Sequence, residues 1–191
     1  FVSDSLTPII PVSKQSLLRD VDVIFNSRMA YNSDYVDGGH TLSAFNIDQL
    51  RLEIKGKIHD KVYFRFRDRY TRSQDPGDLD NISRSVDLAF ITIDVAERTK
   101  FSFGKLCADW GGYEFDFNPI DILAYNDIIE YADNFLVGAG ISHTLKDGKN
   151  SFTLQLLNSR NRTYETQYGA SAPPDINPSE YPLAGVLNWR G

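Results

Sequence analysis

The chain has 191 residues, 41% hydrophobic and 24% charged, a balance that suits one packed domain or a piece of a larger one and excludes a disordered chain. A formal charge of −6 gives no basic face for nucleic acid, and the single cysteine, Cys107, excludes an internal disulfide framework or a cysteine-based metal cluster. Aromatic residues reach 13%, which favours β-structure, and the apolar stretches fall far short of the roughly 20 residues of a membrane-spanning helix, so a membrane form would have to be a β-barrel.

Residues 1–18 read as an N-terminal extension and 19–191 as the β-barrel portion. The chain opens without a methionine, a charged n-region or an apolar h-region, as expected of a mature product or an excised fragment. Alternation with period two then predicts eight strands. In the first, Val21, Val23, Phe25, Met29 and Tyr31 share one face and Asp20, Asp22, Asn26 and Arg28 the other. In the second, Leu50, Leu52 and Ile54 oppose Gln49, Arg51, Glu53 and Lys55; in the third, Val62, Phe64 and Phe66 oppose Tyr63, Arg65, Arg67 and Arg69. The fourth, about 86–96, is apolar on both sides in its middle, so its facing is ambiguous. The fifth sets Phe101 and Phe103 against Lys100, Ser102 and Gly104, and the sixth Phe135, Val137, Ala139 and Ile141 against Gly138, Gly140 and Ser142. The seventh sets Phe152, Leu154 and Leu156 against Thr153 and Gln155, and the eighth Leu183, Gly185, Leu187 and Trp189 against Asn188 and Arg190.

Long polar links at 32–43, 72–85, 107–133 and 159–182 alternate with short turns near 57–60, 97–99 and 146–150, the last holding an Asp147-Gly148 turn signal. A meander with its long loops at one end is the arrangement of outer-membrane barrels. Tyr31, Tyr70, Phe135 and Trp189 lie near strand ends, where an aromatic girdle belongs. An even register is required between strands two and three, because an odd one mixes apolar with charged positions. With residue numbers summing to 118, Leu52 faces Phe66, Ile54 faces Phe64, Glu53 faces Arg65 and Arg51 faces Arg67. Within the third long link, Asn118-Pro119 followed by Asp121 predicts a short helix over about 119–130. A loop this long either folds into the lumen as a constriction, offering Tyr113, Glu114, Asp116, Asn118 and Asp121, or caps the rim.

The sharpest constellation is Arg65, Arg67 and Arg69, spaced about 6.6–6.8 Å along one strand face. Three such charges facing hydrocarbon would each cost about 2–4 kcal/mol, so they face water or protein. In a channel they line an anion path, with Arg51 and Lys55 adding to the wall and Glu53 offsetting part of it; on a solvated face they are ordinary surface charges. The acidic run Asp75 to Asp80 lacks EF-hand spacing and reads as a solvated loop. His40, His59 and His143 form no ligand pair, no GxSxG elbow is present, and Gly138-Ala139-Gly140 lies in a strand, so the chain reads as a non-enzyme with no cofactor and no metal.

Arg65-Phe66-Arg67, Asp87-Leu88-Ala89-Phe90-Ile91, Phe103-Gly104-Lys105, Gly111-Gly112-Tyr113-Glu114, Asn118-Pro119-Ile120-Asp121-Ile122 and Gly138-Ala139-Gly140 occur in that order, and with this spacing the chain resembles the first half of the phosphate-selective porin O and P family, especially its Bacteroidetes members. The resemblance implies part of a sixteen-stranded transmembrane β-barrel, commonly a homotrimer, in outer-membrane lipid of the bacterial cell. It also implies passive diffusion of small polar or anionic solutes such as phosphate. Two alternatives stand beside it: a small eight-stranded outer-membrane barrel with a structural or adhesion role, and a soluble β-barrel that carries a ligand.

Overall fold

The computed structural model describes residues 20–110, 117, 121, 122, 124, 125, 129, 132–171 and 173–191. Among these, eight strands form one antiparallel sheet in sequence order: β1 Val21–Val36, β2 Gly39–His59, β3 Val62–Arg69, β4 Val86–Ala96, β5 Thr99–Cys107, β6 Phe135–Thr144, β7 Ser151–Asn158 and β8 Leu183–Arg190. A single α-helical turn spans Tyr164–Tyr168. β1 and β8 are the two edges, so the sheet is an open meander that does not close on itself.

The period-two pattern divides the sheet into two faces. One carries Val23, Phe25, Met29, Phe101, Phe103, Ile141, Leu154, Leu156 and Leu187, all exposed. The other gathers polar residues and the small buried core. This is the inverse of a soluble sheet, and it is what strands between lipid and an aqueous interior require. One row of inner-face pairs crosses the whole sheet: Asp22, Lys55, Arg65, Phe90, Gly104, Gly138, Leu157 and Ala184. Its β1–β3 end is charged and its β4–β8 end is apolar or small. On the second part sits a cluster of Leu106, Ala108, Leu136, Leu157 and Val186, with Phe90 packed against it. Gly104 and Gly138 pair at the centre of that row. A Cβ on Gly104 would run into the Ala89 carbonyl oxygen, and one on Gly138 into that of Leu156.

Four expectations need correction. Residues 32–43 are not a loose link: β1 and β2 continue through them and reverse at Asp37-Gly38, whose φ values of 50° and 78° suit a tight two-residue hairpin turn. Polar Asn32, Ser33 and Asp34 stay in the ladder because they pair with Ala44, Ser43 and Leu42. The β2–β3 register is even but sums to 120, so Glu53 opposes Arg67, Lys55 opposes Arg65 and Arg51 opposes Arg69. A bulge between Lys57 and His59 moves the turn to 60–61 and accounts for the slip. β4 has a definite facing: Leu88 and Phe90 oppose Arg67 and Arg65 on the inner side, and Ala89 and Ile91 oppose Phe66 and Phe64 on the other. It reads as apolar on both sides because its inner Phe90 packs against the hydrophobic cluster and its inner Leu88 is buried. Finally, Phe135 does not join the exposed aromatics Tyr31, Tyr70 and Trp189; its ring lies 5.2 Å from the Arg67 guanidinium carbon.

Candidate functional site

Alternation on β2 and β3 brings Arg51, Glu53, Lys55, Arg65, Arg67 and Arg69 onto one surface. Glu53 accepts a hydrogen bond from Arg65 Nε at 2.9 Å, a diagonal pair rather than the facing one. The second counter-charge comes from β4. A register shift between Arg67 and Asp68 pairs them with Leu88 and Val86 and leaves Asp87 as the extra residue. Asp87, 1% exposed, accepts from Arg69 Nε and Nη2 at 3.1 and 2.9 Å. The same carboxylate lies 3.3 Å from Arg67 Nε and 3.8 Å from Arg72 Nη1. One buried carboxylate thus holds three guanidinium groups in place. Arg51 is 4% exposed, and its Nε and Nη1 find no hydrogen-bond partner among the described residues.

Between β5 and β6, the described residues Phe117, Tyr125, Ile129 and Asn134 border this surface. At the start of this segment, the Asp109 amide donates to Gln155 Oε1 at 2.8 Å, Asn188 Nδ2 donates to the Asp109 carbonyl at 2.8 Å, and Arg190 Nη2 reaches Asp109 Oδ1 at 2.9 Å. Gln155, Asn188 and Arg190 all belong to the inner positions of β7 and β8. At its end, Asn134 Nδ2 donates to the Ile129 carbonyl at 2.6 Å, and Trp110 Nε1 donates to Asn134 Oδ1 at 3.0 Å. In between, Arg28 of β1 donates to the Ile122 carbonyl at 3.4 Å. The segment is thereby tied to strands at both edges of the sheet.

Beside these residues lies a cavity of about 330 Å³. Six cations (Arg51, Lys55, Arg65, Arg67, Arg69 and Arg72) and one carboxylate, Glu53, line it, together with Leu88, Phe117, Tyr125, Ile129 and Phe135. Arg72, Asn134 and Phe135 also border a second cavity of about 360 Å³, which includes Arg84, Lys105 and Arg162. That cavity lies among the links that carry residues 70–85 and 159–182. There the acidic run is docked rather than loosely solvated. Asp78 accepts from the Thr163 amide and hydroxyl, both at 2.8 Å, and from the Thr166 hydroxyl. These bonds, Thr166 first, hold the Asp78 carboxyl at about 2. Asp80 pairs with Lys105 at 3.3 Å with both side chains almost fully buried.

All five expected cations, Arg51, Lys55, Arg65, Arg67 and Arg69, meet in the first cavity. Tyr113, Glu114, Asp116 and Asn118 lie outside the described residues, as do Pro119 and most of the expected 119–130 helix. Asp121 is exposed and does not line the cavity. Sequence reasoning missed Asp87, Arg72 and Tyr125, and it missed the anchors Gln155, Asn188 and Arg28. For Asp87 a signal existed: an acid set between Val86 and Leu88 at the start of its strand, with three arginines on the preceding one.

An antiparallel meander with an apolar band on one face and a cationic cavity on the other has the architecture of a β-barrel wall. Residues 24–183 match the model of the family described as phosphate-selective porin O and P, and the chain belongs to that family. Its members are outer-membrane porins, which implies a channel rather than an enzyme. No curated protein matches the chain.

Proposed function

We propose that this chain forms part of the wall of an outer-membrane channel through which small polar or anionic solutes such as phosphate diffuse passively. The observation that carries the reading is the cavity lined by six cations and one carboxylate in a chain of net charge −6. Guanidinium groups on a narrow low-dielectric passage raise the local anion concentration, and acidic groups more than about 8 Å away are screened at physiological salt. Arg51, Lys55, Arg65, Arg67 and Arg69 are the anion path in this reading. The segment at 107–133, with Tyr113, Glu114, Asp116, Asn118 and Asp121, is its constriction; the cross-sheet bonds at Asp109 and Ile122 support an inward rather than a rim position.

Residues 19–191 are barrel in the same reading. In lipid the backbone groups of β1 and β8 each need a partner, since an unsatisfied one costs several kcal/mol, so the sheet is completed by further strands into a larger barrel. Family kinship extends this to sixteen strands and a homotrimer in outer-membrane lipid.

The test is bilayer recording in a salt gradient. The native channel is expected to reverse on the anion side, most strongly at low ionic strength. Replacing Arg65, Arg67 and Arg69 together by Gln should move the reversal potential toward cations, and deleting 113–128 should raise single-channel conductance. A native channel that prefers cations, or a triple variant with an unchanged reversal potential, defeats the anion path. Unchanged conductance after the deletion defeats the constriction.

A further inference from the structure

We infer that Gln155 and Asn188, which do not line the arginine cavity, are positioning residues for the phosphate it takes, because they hold the Ile129 and Asn134 part of its lining in place. The inference rests on the anion-path reading and deepens it. Gln155 is buried on β7, two strands away from β5, yet its amide bonds twice to the chain leaving β5. Nε2 donates to the Cys107 carbonyl at 3.1 Å, and Oε1 accepts from the Asp109 amide at 2.8 Å. One side-chain amide thus stands in for the peptide group of a neighbouring strand, donating to one residue and accepting from the next but one. Its reach crosses β6 at Gly140, the residue paired with Gln155, where a Cβ would stand 3.0 Å from Gln155 Cγ. Asn188 of β8 adds a third bond, from Nδ2 to the Asp109 carbonyl at 2.8 Å.

From there the contacts run on to the cavity. Ala108, fully buried in the hydrophobic cluster, donates its amide to the Asn134 carbonyl at 2.8 Å. Asn134 accepts from Trp110 Nε1 at 3.0 Å and donates to the Ile129 carbonyl at 2.6 Å. Cys107, Ile129 and Asn134 line the cavity; Gln155 and Asn188 do not. Contiguous bonded networks of this kind carry coupling between separated positions. Gln155, Ala108, Ile129 and Asn134 are all buried, so a lost bond leaves its partner without water to replace it. A phosphate held by guanidinium groups needs a firm lining beside it, since water admitted there raises the local dielectric and weakens each N–H···O contact. Chloride conduction follows the local potential, which the same cations supply whether or not the lining is firm. Phosphate and chloride therefore separate positioning from charge.

The experiment records chloride current through the intact channel in a planar bilayer while inorganic phosphate is added as a blocker. Gln155→Met with Asn188→Leu keeps every charge and removes all three bonds. The half-blocking phosphate concentration is expected to rise about fivefold, with the reversal potential in a potassium chloride gradient as in the native channel. Gly140→Val leaves both gripping residues in place but crowds Gln155 off its path, and should weaken phosphate block in the same direction. An unchanged half-blocking concentration in the double variant overturns the inference. So does weaker block accompanied by a shift of the reversal potential toward cations, which would mean that the wall itself has come apart. Asn188 is only half-buried, so Asn188→Leu alone, with an expected rise of about twofold, decides the matter should the double variant not fold. A native channel that prefers cations fails the anion-path reading itself, and this inference with it.

Discussion

The two ends of the inner face solve opposite problems. Across β1 to β3 the row reads Asp22, Lys55, Arg65; across β4 to β8 it reads Phe90, Gly104, Gly138, Leu157, Ala184. The first end supplies charge and gains little from packing. Glu53 and Asp87 supply the carboxylates that lie against its guanidinium groups. The second end supplies the packed cluster of Leu106, Leu136, Leu157 and Val186, and beside it the amides that grip Asp109. A wall uniformly charged would have no means of holding a segment across it, and a wall uniformly apolar would offer a solute nothing. One half of the face anchors Asp109 through Gln155 and Asn188, while the other gathers the guanidinium groups that line the cavity.

That comparison can be broken first at Asp87. Replacing Asp87 with Ala leaves Arg67, Arg69 and Arg72 without their shared carboxylate, and an uncompensated buried charge costs about 3–5 kcal/mol. Urea unfolding of the protein folded into vesicles measures this; native-like stability would mean that the arginines find water instead. On the apolar side, Leu157→Ala removes a fully buried side chain from the cluster and should cost about 3 kcal/mol in the same assay. A loss under about 1 kcal/mol would show that the cluster relaxes and is not what anchors that half.

The smallest effect lies between the links, at Asp78. Its carboxyl is lowered from 3.8 to about 2 by Thr166 first and then Thr163. A depressed carboxylate stabilises the folded form above its unfolded value, so the docking of 70–85 against 159–182 is complete at pH 5 and fades only as the pH falls from about 4 through 2. Protection of the Thr163 amide against hydrogen exchange, corrected for intrinsic rate, should follow that window. Loss of protection already at pH 5 would show that Asp78 does not hold the contact.

The strands were legible because their cause is local. Val62-Tyr63-Phe64-Arg65-Phe66-Arg67 can alternate in only one way, and the even register follows from the same alternation. The signal for the first hairpin was equally local: Asp37-Gly38 is the same turn pair as Asp147-Gly148, yet polar Asn32 to Asp34 masked the strands that flank it. What could not be read depends on pairing at distance. Asp87 becomes a hub through a register shift beside Arg67, and the choice of Gln155 and Asn188 as anchors joins residues 46 and 79 positions apart. The ambiguity of β4 had the same origin, since Phe90 packs against a cluster drawn partly from strands far along the chain.

The pairing of Gly104 with Gly138 bears on the shape of the wall as a whole. When a sheet curls, side chains on its concave side converge, and bulky ones resist further bending. At the middle of the inner row two neighbouring strands carry none, and each glycine sits where a methyl group would strike the adjoining backbone. The β5–β6 seam is therefore where side-chain bulk resists bending least. How closely the backbones approach there is set by two missing carbon atoms more than by the length of any side chain on the inner face.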